Sequence, residues 1–329
     1  MPLMGFLRNQ ASDMDGVLVV DKHTGPTSHD IVARVRRTLS KCRVGHLGTL
    51  DPMATGVLPL VLGRATRLAA LLSAGPKVYE ASILLGVTTD TYDVTGNITD
   101  DARDGHDLAV ERPARREAVL RATKSFVGTF MQAPPPFSAK KINGVRAYRL
   151  ARKNQPIQPP AVTVKVHSLE LVSVTATHIK CRVKCDSGFY MRSLAHDLGT
   201  SLGCGACLES LRRRQNGSFT TEQAVTMENI ENNETSIAYN LLPIETLLPD
   251  IPTVVVTNQG AKKASHGNSV SPVDVITPGP EHETFIKMEN VAHGRTSANL
   301  VKLYDEDGTL LAIGQADEAP FLRPTIVLV

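Results

Sequence analysis

Gly45-His46-Leu47-Gly48-Thr49-Leu50-Asp51-Pro52-Met53-Ala54-Thr55-Gly56 puts a single carboxylate into a turn of unusual stiffness. Gly45, Gly48 and Gly56 permit positive φ or close backbone approach, Pro52 fixes its own φ, and Asp51, preceding a proline, is biased towards extended backbone. An aimed acid results, suited to a nucleophile or general base. In an isolated loop the same aspartate commonly does no more than bond its own backbone. The run Val57-Leu58-Pro59-Leu60-Val61-Leu62 follows at once and predicts a buried strand, with Pro59 interrupting its regularity. Upstream, Gly16-Val17-Leu18-Val19-Val20 predicts another strand. Pro26-Thr27-Ser28 opens a helix with Ile31, Val32 and Val35 inward, Arg34 and Arg37 outward, and Thr27 or Ser28 accepting its free N–H groups.

A chain of 329 residues, 42% of them hydrophobic, buries a substantial core and predicts two domains. The first sixteen residues have no long apolar core and contain Asp13 and Asp15, and no run approaches a membrane span. A soluble cytoplasmic protein is the expectation. The net charge of +3 is too small to imply a polyanionic partner, but its placement is uneven. Residues 27–67 carry Arg34, Arg36, Arg37, Lys41, Arg43, Arg64 and Arg67 against only Asp30 and Asp51. Residues 140–153 carry Lys140, Lys141, Arg146, Arg149, Arg152 and Lys153 with no acid. On one face these would attract phosphates; on separate faces they are solvated surface.

Further along, residues 65–72 predict a short helix closed by Gly75-Pro76, 77–85 a strand, and the Thr- and Asp-rich 86–96 a loop. Residues 100–116 are charged and predict exposure, with a helix from about Arg115 to Phe126. The prolines of Gln132-Ala133-Pro134-Pro135-Pro136-Phe137-Ser138-Ala139-Lys140-Lys141 exclude a regular element. With Phe137 and Tyr148 nearby, this basic loop suits a flap over RNA, aromatics stacking on bases while cations hold phosphates.

His178-Ile179-Lys180-Cys181-Arg182-Val183-Lys184-Cys185 alternates as a strand. With Cys204 and Cys207 its cysteines mimic a zinc-ribbon spacing. On a regular strand Cys181 and Cys185 stand about 13 Å apart, whereas two thiolates on one zinc lie within about 4 Å. Reduced thiols are the simpler reading of the five cysteines. Next, Met191, Leu194, Ala195 and Leu198 form an inward helical stripe that leaves Tyr190 and Arg192 at a strand-to-helix junction, where the Arg could reach a carboxylate from another segment. Leu211-Arg212-Arg213-Arg214 adds three cations. Pro243, Pro249 and Pro252 punctuate a linker, after which 300–304 and 309–313 predict a hairpin in a small β domain.

Together these pieces resemble the TruB family of tRNA pseudouridine synthases. The stretch 45–52 looks like the family's nucleophile motif. Lys77-Val78-Tyr79 with 85–91 looks like its second motif, and Ser187-Gly188-Phe189-Tyr190-Met191-Arg192-Ser193-Leu194 and Leu211-Arg212-Arg213 like its third and fourth. The resemblance implies an α+β fold: a mixed, largely antiparallel central sheet flanked by helices (the pseudouridine synthase fold), with a small C-terminal β-barrel-like PUA-type domain. It divides the chain into an N-terminal extension (1–15), a catalytic domain (16–250) with an RNA-clasping loop (132–155), and a PUA-like RNA-binding domain (253–329). Departures are local. Lys22-His23 stands where the family often has Lys-Pro, and Phe189 and Met191 replace more usual neighbours of Tyr190.

The activity implied is conversion of a uridine in the T arm of tRNA, at position 55, to pseudouridine by a monomeric enzyme with no cofactor or metal. The uracil must leave the stack before its glycosidic bond is reached. Asp51 would attack as a carboxylate, at the ring or at the sugar carbon, with Arg192 as its bidentate counter-ion. An aspartate is already ionised at neutral pH, so the pocket's task is to keep the charge once it is held dry. Tyr79 would stack on the flipped base, its hydroxyl a candidate proton acceptor. Tyr190 and Leu211 would wall the uracil, His46 would contact RNA, and Lys22 would serve structure or phosphate contact. The rivals are a non-catalytic RNA-binding protein and an aspartyl-phosphate phosphotransferase. The second lacks the acid two residues after Asp51 that would hold Mg²⁺, because Met53 stands there.

Overall fold

The computed structural model describes residues 14–39, 42–102, 112–138, 140–142, 145–146, 158–232, 235–276, 299–316 and 321–329. The N-terminal extension up to residue 13, about half of the charged stretch 100–116, and half of the clasping loop 132–155, Tyr148 included, lie outside the described residues. The chain opens with β1 (Gly16–Lys22), α1 (Ser28–Thr38), β2 (Val44–His46) and β3 (Thr55–Leu62), then a 3-10 turn, Gly63–Leu68, running into α2 (Ala69–Leu72). Next come β4 (Lys77–Leu85), β5 (Val87–Thr89), β6 (Ile98–Asp101), α3 (Arg112–Thr123), β7 (Gly128–Gln132), β8 (Lys141–Ile142) and β9 (Val145–Arg146). Then follow β10 (Val162–Val174), β11 (His178–Cys185), α4 (Met191–Ser201), β12 (Ala206–Asn216), β13 (Phe219–Thr220), β14 (Val225–Thr226), α5 (Met227–Asn232), α6 (Thr235–Asn240) and β15 (Leu241–Pro243). The last part holds β16 (Thr253–Val256), α7 (Asn258–Ser265), β17 (Val275–Ile276), β18 (Leu300–Tyr304), β19 (Leu310–Ala316) and β20 (Leu322–Val327).

The central sheet has eleven strands, ordered β14-β1-β3-β12-β4-β11-β10-β7, with β2, β13 and β15 paired at its sides. Only β1 with β14 and β3 with β12 run parallel; the other ladders are antiparallel. The mixed, largely antiparallel sheet expected is therefore present. Its apolar runs are explained by burial on both faces. Leu18, Val20, Leu58 and Leu60 join Ile31 and Val35 of α1 on one side, while Val17, Val19, Val57 and Val61 meet Leu68 and Leu72 on the other. Thr27 is the cap of α1, in a reciprocal box with Asp30.

Two expectations are refined. Residues 65–72 are helical, but the first half, to Leu68, is 3-10 and only Ala69–Leu72 is α-helix. The presumed loop 86–96 begins with β5, which pairs with β6. The three arginines 212–214 are not simply surface cations: they sit on the central strand β12, whose alternation buries Arg213 and turns Arg212 and Arg214 to the opposite face, against Asp21 and Glu80.

The barrel-like end is also revised. Among the described residues the C-terminal strands form an open sheet, β17-β16-β18-β19-β20, and a single bridge from Val270 to Leu322 is the nearest approach to closure. One face packs on α7 through Val256, Ala264, Val301 and Leu303. Leu300, Leu310, Ile313 and Leu328 belong instead to the cluster that contains Val17, Val57 and Leu68, so this sheet backs directly onto the strands that carry the Asp51 loop.

Gly56, the second residue of β3, has φ +98°, and a Cβ there would lie 2.2 Å from the Arg213 carbonyl oxygen. Left-handed backbone costs an L-residue about 1–2 kcal/mol and overpacking about 1–3 kcal/mol. Gly56→Ala is therefore expected to destabilise by about 2–4 kcal/mol in urea denaturation. An unchanged midpoint would show that β3 and β12 can part freely.

Candidate active site

Asp51 leaves the turn between β2 and β3, and Arg192 stands in the first turn of α4, 141 residues downstream. Arg192 donates from Nε to Asp51 Oδ2 at 2.9 Å and from Nη2 to Oδ1 at 3.1 Å. This is a two-pronged, charge-assisted contact that fixes the carboxylate plane. The partners differ sharply in access: the Arg192 side chain is 7% exposed and that of Asp51 is 36%. The dry member is the guanidinium; the carboxylate stays open to a visitor, which corrects the expectation that it is itself held dry.

A buried guanidinium needs acceptors for its remaining N–H groups. Arg192 Nη1 donates to the Thr91 carbonyl and Nη2 to the Phe137 carbonyl, each at 3.1 Å. A second acid, Asp93, lies with Oδ2 3.6 Å from Nε. Asp93 is buried and aimed by its own neighbours: the Thr91 hydroxyl and the Thr95 N–H donate to its Oδ1 at 2.9 and 3.0 Å. Sequence reading stopped short of Asp93. Its signal is the Thr91-x-Asp93-x-Thr95 pattern, in which a carboxylate is bonded locally on both sides.

Two further buried cations hold the Asp51 loop by its carbonyls. Lys22 is fully buried, and Nζ donates to His23 O, Pro52 O and Ala54 O at 3.0, 3.1 and 2.6 Å. An ammonium has three donors, so none is left for phosphate contact; its place is structural. Burial pulls the Lys22 ammonium down to about 8; attraction to Asp51 works against that and the charge of Arg213 adds to it. Arg213 donates from Nε to Val57 O at 2.8 Å and from Nη2 to Gly48 O at 3.0 Å. The Ser28 hydroxyl accepts from Leu50 N at 2.8 Å, and Pro52 O accepts from Gly25 N at 2.9 Å. Arg213 escaped sequence reading because charge composition does not say which of three adjacent arginines points inward.

The other residues expected at the site fall around this pair. Tyr79 is buried on β4, opposite Arg213 in register. Burial pushes its phenol above the ordinary range, against the pull of Arg213. Tyr190 directly precedes α4; its N–H donates to Gln132 Oε1 at 2.9 Å, and its carbonyl accepts from Gln132 Nε2 at 3.1 Å. Burial raises the Tyr190 phenol too, with Arg192 opposing and Asp51 reinforcing. The Leu211 carbonyl accepts from the Thr55 hydroxyl at 3.4 Å. His46, on β2, meets His29 edge-on at 5.3 Å, and burial followed by the charges of His29 and Arg213 keeps its imidazole neutral. Cys181 and Cys185 lie buried on the regular β11 with thiols pushed up to about 12, chiefly by burial. Among the described residues no cluster of His, Cys, Asp or Glu is placed to hold a metal ion.

Lys22→Met keeps the length of the side chain and removes three hydrogen bonds. It is expected to cost about 2–4 kcal/mol in urea denaturation, because the buried Ala54 carbonyl loses the ammonium and Pro52 O keeps only its bond from Gly25 N. Any activity that depends on the position of Asp51 should fall with it. Parent stability together with parent turnover would show that the loop holds itself.

The family model described as "TruB family pseudouridylate synthase (N terminal domain)" matches residues 36–191, and that described as "tRNA pseudouridylate synthase B C-terminal domain" matches 192–249. The tRNA pseudouridine synthase B of Solibacter usitatus is 39% identical over 317 residues, covering 96% of this chain and all of the relative. The enzyme of the same name from Clostridium perfringens is 35% identical over 309 residues, covering 94% of this chain and 97% of the relative. A chain of an H/ACA ribonucleoprotein bound to a substrate RNA containing 2'-deoxyuridine superposes with a TM-score of 0.65 at 22% identity, covering 100% of this chain and 88% of its own. At that identity it speaks for the fold alone. Asp51 lies in the first matched segment and Arg192 begins the second, so the contact described above joins the two matched halves. This chain belongs to the TruB family of pseudouridylate synthases.

Proposed function

We propose that the protein isomerises a uridine of tRNA to pseudouridine, acts on the T arm at position 55, and uses Asp51 as its nucleophile. The observation that carries this reading is the asymmetric pair: a buried guanidinium gripping a carboxylate that is still open to solvent. Relatives named tRNA pseudouridine synthase B support the substrate. In the reaction the bond from ribose C1' to uracil N1 breaks, a bond from C1' to C5 forms, and the C5 proton leaves while N1 gains one. The change is redox-neutral and occurs within one nucleotide, so it asks for no cofactor.

The base has to be swung out of the stack to meet Asp51. Attack at the ring or at C1' is compatible with the same carboxylate. Tyr79 would pack on the flipped uracil; its phenol, held protonated by burial, serves better as a wall and hydrogen-bond partner than as a resting base. Tyr190 and the backbone near Leu211 would line the opposite side, and His46, neutral at the rim, would meet RNA. The C-terminal sheet and the loop after β7 are assigned to RNA binding, in PUA-like and clasping roles. The enzyme is read as a monomer that works in the cytoplasm, where tRNA matures.

A tRNA transcript tritiated at uracil C5 should lose its label to water when incubated with the protein alone, without nucleotide or metal. Binding without release would leave a non-catalytic RNA-binding protein, and no release together with phosphorylation of Asp51 from nucleotide and Mg²⁺ would favour phosphotransfer. Asp51→Asn should abolish release while tRNA binding stays within about threefold; turnover at the parent rate would remove Asp51 from the mechanism. Arg192→Lys replaces a fork by a point charge and should cut the rate by about 100-fold or more. Normal kinetics there would remove the pairing.

A further inference from the structure

Tyr92 is one of two residues other than glycine with positive φ among the described residues, at +64°. A tyrosine is poorly suited to left-handed backbone, and such strain persists only where the surroundings enforce it. Its ring lies flat on that of His196, with centroids 3.9 Å apart and planes 7° from parallel. Tyr92 is the residue between Thr91, whose carbonyl accepts from Arg192, and Asp93, whose carboxylate faces the same guanidinium. His196 follows Arg192 by four positions on α4, so both lie on one helical face. The two rings thus join the helix that supplies the cation to the turn that supplies two of its acceptors.

From this arrangement, and resting on the catalytic reading of Asp51 and Arg192, we infer that Tyr92 and His196 are positioning residues for the Arg192 guanidinium. The stack sets the spacing between α4 and the turn, and the guanidinium, caught between them, presents its free edge to Asp51. Backbone bonds complete the clamp: Leu208 N donates to Tyr92 O at 2.9 Å and Val94 N to Leu208 O at 3.0 Å, tying the turn to β12. Burial keeps the His196 imidazole neutral, with Asp197 opposing, and Nδ1 has no hydrogen-bond partner among the described residues. Nδ1 is therefore held by packing and not by a hydrogen bond.

Four variants test the idea with uracil-C5-tritiated tRNA under single-turnover conditions, with binding measured in parallel. Tyr92→Gly relieves the left-handed strain and deletes the stack. A role in folding alone would leave its rate intact, whereas positioning predicts a rate loss of about 10–100-fold with a held or raised denaturation midpoint. His196→Ala should lose rate by a similar factor with tRNA affinity unchanged. Tyr92→Phe and His196→Phe keep a flat ring in place and should stay within about threefold of the parent. Parent rates in both Tyr92→Gly and His196→Ala overturn the inference, and so does a loss that the phenylalanine variants share. Should His196→Ala fail to fold, Tyr92→Gly decides alone. Asp51→Asn run alongside separates the two levels: an active Asp51→Asn sinks the catalytic reading, whereas an inactive one beside fully active stack variants sinks only the positioning role.

Discussion

A guanidinium buried to within a few per cent of its surface is the constraint around which the protein is arranged. Removing such a charge from water is costly unless nearly every N–H finds an acceptor, and replacing a buried ion pair by apolar packing is often neutral or stabilising. The Arg192 cluster is therefore better understood as a device of orientation than of stability. Its acceptors come from three stretches: the Asp51 loop, the turn that carries Thr91 and Asp93, and the carbonyl of Phe137. The β2–β3 turn, the β5–β6 excursion, the Pro-rich segment after β7 and the start of α4 must all be in place before the cation is satisfied.

Arg192 is one of three buried cations around a single half-open acid. Lys22 and Arg213 spend their donors on carbonyls before and after Asp51, so the loop is held by its backbone while its side chain stays free to react. The arrangement divides the labour. Two cations fix where the carboxylate is; the third fixes which way it faces. It also supplies a positive field in a region of low dielectric, where charge–charge attraction is stronger than in water. The drop in the Lys22 ammonium is chiefly the cost of burying it, the opposing pull of Asp51 offsets part of that, and the charge of Arg213 adds a smaller push downwards. Behind them, Leu310 and Ile313 of the C-terminal sheet press on Val17 and Val57, giving the strands beneath the loop a packed second face.

Much of this was legible in the chain. The strands around Val17 and Leu58 announce themselves by apolar runs, α1 by the Ile31, Val32 and Val35 stripe behind a Thr27 or Ser28 cap, and α4 by the stripe from Met191 to Leu198. Motif resemblance brought Asp51 and Arg192 together across 141 positions, which no periodicity could do. The missed features share a physical reason. Arg213 is distinguished from Arg212 and Arg214 only by the pleat of a strand whose pattern is masked by its charges. Asp93 and Tyr92 sit in a Thr- and Asp-rich stretch whose composition signals a loop, and nothing in composition shows that a loop turns its acid inward. The closed barrel expected at the C-terminus rested on likeness alone, with no closing ladder among the described residues.

With Asp51 as the proposed nucleophile, its partial exposure resolves a tension in the chemistry. A carboxylate sealed from water would be a stronger nucleophile but could not be reached by a base arriving from a stacked helix. One left wholly in solvent would lose the oriented field of its guanidinium. With Arg192 already dehydrated, the remaining water around Asp51 is what an incoming uracil would displace, so desolvation is completed by the substrate itself. Binding energy from the rest of the tRNA can then be converted into reactivity at the flipped nucleotide instead of into tighter ground-state binding. A buried cation beside an open anion is the resting arrangement such coupling requires, because only the anion's side has to change when RNA arrives.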